Sequence, residues 1–222
     1  PVIPDCPEWS LIEKLKEEYE MIGIYLSGHP LDAYKVELKN FCNTTIENVT
    51  NTPDKEVSIG CMVMSIERRM TKTGREFAKV VVEDFDDSME IMLFGEDYVK
   101  HHAHFEAGRF LCIKGRYQLQ KWKGDNNYEF KLSQVRLLES LIEEQGKAVT
   151  IQLKLREVNR ALIRRIEKIC QQYPGKLIFN VKIFDVENKQ SIEMQSKSYK
   201  LNGSGELFKA FDKLGVSYSL VK

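Results

Sequence analysis

At Glu56 the chain changes its apolar periodicity, and no other feature constrains its fold as much. Upstream, apolar residues recur every three or four positions. From Glu56 to Leu138 they alternate, which is the period of a half-buried strand. Turn chemistry cuts this alternating stretch into runs: a long one over 56–70, a turn at Thr71-Lys72-Thr73-Gly74, a second run over 75–84, a turn at Asp86-Asp87-Ser88, and a third over 89–94. A helix-like stretch spans 95–105 and Gly108 precedes a fourth run over 109–119. The loop Lys121-Trp122-Lys123-Gly124-Asp125-Asn126-Asn127 then closes a hairpin with a fifth run over 128–138. Three meandering strands, a helical link and a final hairpin are the order of a five-stranded OB-fold β-barrel; another small barrel or half a sandwich competes with it.

The flanks keep the helical period or mix the two. Ser10 and Glu13 have capping-box spacing, and Leu11, Ile12, Leu15, Tyr19 and Ile22 place a helix over about 10–22. After Ser27-Gly28-His29, Pro30 suits the first position of a second helix lined by Leu31, Tyr34, Leu38 and Phe41, with His29 serving the turn. Residues 43–55 read as a polar linker. Beyond 141 the order is strand 148–155, helix 157–172, a turn at Pro174-Gly175, strands 177–186 and 190–196, helix 204–214 and strand 216–221. This βαββαβ order suits a split βαβ sandwich with both helices on one face. The chain is thus an α+β protein in three parts. A short N-terminal helix pair and linker occupy 1–55, the OB-fold domain 56–140, and a C-terminal α/β domain 141–222.

Charge narrows the function classes. The 33 basic and 33 acidic residues cancel, but they are unevenly placed: net −5 over 1–55, −1 over 56–140 and +6 over 141–222. A nucleic-acid site in the barrel must therefore be a local patch. No apolar run approaches the roughly 18–20 residues of a membrane span, and no basic segment leads into an apolar one at the start, so membrane and secretory classes are not expected. Cys6, Cys42, Cys61, Cys112 and Cys170 are odd in number and widely spaced, which suggests neither a disulfide framework nor a zinc site and points to a reducing cytoplasm. The glycosylation patterns at Asn43, Asn48 and Asn202 then have no meaning. The chain lacks an initiator Met and opens like the middle of something longer; it reads as a fragment.

Three stretches carry a family resemblance: Tyr25-Leu26-Ser27-Gly28-His29-Pro30-Leu31-Asp32, Val63 to Arg75 with Thr71-Lys72 and Gly74, and Met92-Leu93-Phe94 closing the third strand. With the α/β tail, they resemble the C-terminal part of the alpha subunit of bacterial DNA polymerase III, the C-family replicative DNA polymerase. The resemblance implies a piece lying after the catalytic and clamp-binding regions, with an OB domain and a domain that docks the clamp-loader tau subunit. It also implies that the Mg²⁺-dependent nucleotidyl transfer of the parent DNA-directed DNA polymerase is carried by residues upstream of Pro1, so neither a catalytic residue nor a cofactor is expected here. No Gln-x-x-[Leu/Met]-x-Phe clamp peptide is present.

The residues themselves agree. Two-metal catalysis needs carboxylates that hold ions about 3.5–4 Å apart. The nearest candidates, Glu83, Asp84, Asp86, Asp87 and Glu90, occupy a strand-to-strand turn where Asp is favoured for turn chemistry. His101, His102 and His104 do not converge on one point of a helix and read as a solvated face.

An OB barrel binds single strands across its second and third strands, between the 1–2 and 4–5 loops. Here Arg68, Arg69, Lys72 and Arg75 crowd the first loop and Lys121, Trp122 and Lys123 the second. Alternation that sends Ala78, Val80 and Val82 inward sends Phe77, Lys79 and Val81 outward, and likewise Met92 and Phe94. Cations for phosphates beside aromatic planes for bases are the chemistry of single-stranded DNA binding without base specificity. Two other readings stand beside it. In one, the barrel face is an interaction module buried against the remainder of the polymerase chain; in the other, it is an OB anticodon-type RNA binder, which would read the 2′-OH. In the tail, Arg160, Arg164, Arg165 and Lys168 oppose Val158, Leu162, Ile166 and Ile169, a solvated amphipathic helix. Val216, Tyr218, Leu220 and Val221 either complete the sheet or face a partner.

Overall fold

A computed structural model describes residue 9 and residues 11–119 and 128–222. Strands β1 (Glu56–Met70), β2 (Glu76–Glu83), β3 (Ser88–Phe94), β4 (Phe110–Leu119) and β5 (Tyr128–Leu137) form one antiparallel sheet in the order β3-β2-β1-β4-β5. The length of β1 lets it serve both halves. Glu56 to Met62 pair with β4 and Met62 to Met70 with β2, with a register shift between Val63 and Ser65 where the strand bends. The sheet curls around Ile59, Val80, Val82, Leu93, Ile113 and Phe130. This is the OB strand order, but β3 and β5 remain the two edges and share no ladder. The barrel therefore carries an open seam.

Helix α1 (Leu11–Ile22) forms as the periodicity predicts, although Ser10 of the expected capping box lies outside the described residues. Leu15 is buried, while Tyr19, Met21, Ile22, Ile24 and Leu26 are exposed. After it, His29 Nδ1 accepts from the Leu31 N–H at 3.2 Å and Asp32 Oδ2 accepts from the His29 N–H at 2.8 Å, capping a 3₁₀ turn (Pro30–Tyr34) that runs into α2 (Lys35–Phe41). Packing of α2 on β1 explains a glycine inside a strand: a Cβ at Gly60 would stand 1.9 Å from Leu38 Cδ2. The segment read as a polar linker contains α3 (Ile46–Val49), whose two apolar residues plug the barrel core. Two apolar side chains in a run of Asn and Thr are too few to register as periodicity.

Helix α4 (Gly95–His101) and a 3₁₀ turn (His102–His104) link β3 to β4, with Tyr98 and Phe105 buried. The His102 ring stacks on Tyr98 with centroids 4.7 Å apart, and its Nδ1 lies 2.7 Å from the Tyr98 carbonyl.

A short helix α5 (Leu141–Gln145) leads to the second sheet, made of β6 (Ala148–Lys154), β7 (Pro174–Asp185), β8 (Gln190–Leu201) and β9 (Ser217–Val221) in the order β8-β7-β6-β9. Helices α6 (Arg160–Gln172) and α7 (Gly205–Leu214) pack Ile166, Phe208 and Phe211 against Val149, Ile151 and Phe179. The expected split βαβ is corrected: β6 and β7 are parallel and adjacent, with no strand between them. A turn of four residues, 186–189, keeps β8 beside β7, and because β6 already occupies one edge of β7, β8 takes the other while β9 takes the free edge of β6 and completes the sheet. Pro174 and Gly175, expected as a turn, begin β7. The basic residues of α6 are exposed.

The tail core also takes in Leu31 and Phe41 from the connector, Leu138 and Leu141 after β5, and Cys112 from β4. The Sγ atoms of Cys42 and Cys112 approach to 4.0 Å, both as free thiols. Glu37 lies in this region, 3% exposed, with Oε2 unpartnered; burial pushes its carboxyl up to about 7 from an ordinary 4.5. The folded state therefore keeps a proton that the unfolded chain releases near 4.5, and stability from this group falls as pH rises towards and past 7. Glu37→Gln should stabilise the fold by about 1–2 kcal/mol near pH 8 and by almost nothing near pH 5, as read by urea denaturation.

Candidate nucleic-acid interface

Opposite residues of an antiparallel pair share a face. The pairs Arg69↔Phe77, Phe77↔Phe94, Glu67↔Lys79, Lys79↔Met92 and Val81↔Glu90 form one outward row across β1, β2 and β3, while Ala78, Val80, Ile91 and Leu93 are buried beneath it. Phe77 and Phe94 stack, with centroids 5.2 Å apart and planes 21° from parallel, and Phe94 is 46% exposed. Arg69 lies directly opposite Phe77. Lys72 and Arg75 are exposed on the adjoining turn, which is closed by the Thr71 N–H donating to the Arg75 carbonyl at 2.8 Å and by Gly74 at φ 77°. The chain thus gathers Arg69, Lys72, Arg75, Phe77, Lys79 and Phe94. Arg68 does not join them: it pairs with Ala78 and so points to the other side of the sheet, within electrostatic reach of Tyr98. Lys121, Trp122 and Lys123 lie outside the described residues.

Sequence reasoning missed the acids of this face. Glu67 pairs with Arg69 at 2.5 Å and Glu90 with Lys79 at 2.5 Å. The only signal for Glu90 was its cross-strand position, which needs the register. Each pair holds a cation away from a phosphate at a cost of about 0.2–1 kcal/mol. Glu67→Gln and Glu90→Gln should therefore each tighten single-strand binding by roughly two- to fivefold at low salt, read by fluorescence anisotropy. The stacked Tyr117 and Tyr128, 5.2 Å apart where β4 and β5 meet the 4–5 loop, were also missed, although both fall on strand positions beside that loop.

The acidic turn is structural. Asp84, 3% exposed, accepts from the Asp86 and Asp87 N–H groups at 3.1 Å each through Oδ1, and from the Ile46 N–H at 2.6 Å through Oδ2. A carboxylate committed to three amides has little left for a metal, and no cluster of His, Cys, Asp and Glu among the described residues suits one. No helix among the described residues is long and apolar enough to cross a membrane.

Residues 149–220 match the family model for the DNA polymerase III alpha subunit, C-terminal domain. Across its whole length the chain aligns with DNA polymerase III subunit alpha of Bacillus subtilis at 24% identity. The chain is similar to the C-terminal region of the DNA polymerase III alpha subunit. The alpha subunit of Neisseria meningitidis serogroup B is 29% identical over 149 residues, 67% of this chain. The chain spans only 19% of the Bacillus alpha subunit and 13% of the Neisseria one. The family model covers β6 to β9, whereas the Phe77–Phe94 face lies outside it and within the alignment to the Bacillus alpha subunit. Among solved structures, the mitochondrial single-stranded DNA binding protein Rim1 of S. cerevisiae superposes at 12% identity with a TM-score of 0.31, covering 38% of this chain and 95% of that one. So loose a match adds nothing to the strand order.

Proposed function

We propose that this chain is the part of a cytoplasmic replicative DNA polymerase that holds single-stranded template, without regard to base, on the outer face of β1–β3, while the β6–β9 domain docks the clamp-loader tau subunit. The observation that carries the DNA reading is the stacked Phe77–Phe94 pair beside Arg69 and Lys79, next to the exposed turn with Lys72 and Arg75. Aromatic planes accept any base and the cations follow the phosphates. Lys121, Trp122 and Lys123 belong to the same proposal from the sequence, as the far bank of the groove. The chemistry of synthesis, with its Mg²⁺, falls to the rest of the polymerase chain. The tau reading rests on the family resemblance and on a tail of net charge +6 whose α6 cations are exposed.

A second reading has support from Met92 and Phe94, 40% and 46% exposed, which equally suit a face covered by another part of the polymerase. Anisotropy of labelled oligo-dT at a series of salt concentrations separates the two. A DNA face predicts a log–log salt slope of about −0.7 per phosphate contact, and Lys72→Ala with Arg75→Ala should flatten it by about 1.4. An RNA competitor that wins at equal sequence would reassign the face to RNA. A flat salt response, or no binding at low salt, would favour the covered face. Pull-down of tau with and without residues 141–222 tests the tail.

A further inference from the structure

The barrel's open seam is a built cavity. β3 spends one edge on β2 and β5 one edge on β4, and among the described residues no strand pairs with their other edges. Between them lies a cleft of about 300 Å³ lined by Met92, Phe94 and Asp97 on one side and Phe130, Lys131 and Leu132 on the other. That volume is at the lower end of small-ligand sites, roughly 300–1,000 Å³. Phe130, 5% exposed, and Leu132, 6% exposed, form the apolar floor, and Asp97, Glu129 and Lys131 give the rim two acids and a base. Phe94 belongs both to this wall and to the stacked pair on the outer face.

We infer that this seam is a slot for one nucleobase of the bound strand, turned out of the stack with its neighbours; this rests on the single-strand reading of the outer face. A flat ring with a polar edge matches apolar walls set between two strand edges, whose peptide groups offer donors and acceptors alternately. Because both kinds of group are present along each edge, the slot discriminates little among bases. Asp97 repels a phosphate, so the backbone stays with Arg69 and Lys72 and the base alone enters. Phe94 stacks one base outside the slot and bounds the next within it.

The test is photo-crosslinking of the whole chain to an oligo-dT of about 12 nucleotides, inside the roughly 4–16 that an OB unit covers, with one central 5-iododeoxyuridine and the adduct located by mass spectrometry. The slot predicts an adduct on Phe130, which the outer face does not present; Met92→Trp, which fills the mouth, should remove that adduct. Binding with adducts confined to Phe77, Met92 or the 71–75 turn overturns the slot and leaves the face. Absence of any binding at low salt overturns the face, and the slot with it.

Discussion

Replacing Phe77 and Phe94 together with Ala should weaken oligo-dT binding by about ten- to a hundredfold, since stacking of a base on an aromatic ring contributes roughly 1–3 kcal/mol and each 1.4 kcal/mol is tenfold. The two rings support each other as well as a base, so each single variant should show much of the loss. Both rings stand on the solvent side of β2 and β3, above a core that Ala78, Val80 and Leu93 fill without them. The melting temperature should therefore move by only a few degrees, which separates lost contact from lost fold. The salt slope should hardly change, because no cation is removed. Unchanged affinity in the double variant would sink the stacking role and favour a face covered by protein.

The largest effect on stability is expected at Asp84→Ala. That side chain ties three backbone amides together, two in the β2–β3 turn and one at the start of α3, across 38 residues of sequence. Hydrogen bonds to a charged group contribute about 1.5–3 kcal/mol each, and water replaces some of them once the carboxylate is gone. A net loss of about 3 kcal/mol follows, or a fall of roughly 6–12 °C in melting temperature for a chain of this size. Calorimetry of the whole chain reads it. Asp84→Asn, which keeps one acceptor oxygen, should recover part of the loss. Oligo-dT affinity measured well below the transition should stay within about twofold, because the turn lies at the other end of β2 from Phe77.

What the sequence made legible was local. Alternation and turn chemistry located all five barrel strands and their outward residues, because a strand's two faces follow from its own side chains and a turn from Gly74 or from Asp86-Asp87-Ser88 alone. What it hid was pairing. Glu90 neutralises Lys79 only because a particular register brings it across, whereas Glu67 reaches Arg69 along its own strand. Arg68 leaves the cluster because its neighbour on β2 is Ala78 rather than Phe77. The same local pattern allows either a split or an adjacent parallel pair in the tail, and only the direct pairing of β6 with β7 tells them apart. The seam is invisible for the same reason: nothing in β3 or β5 alone says that they will not meet.

The core of the tail contains side chains from the connector and from β4, so it is not joined to the barrel by a loose tether. A partner that grips α6 or β9 would therefore hold a lever rather than a leash. The barrel's face would be aimed, not merely kept nearby, and little rotational freedom would be left to lose when a strand arrives.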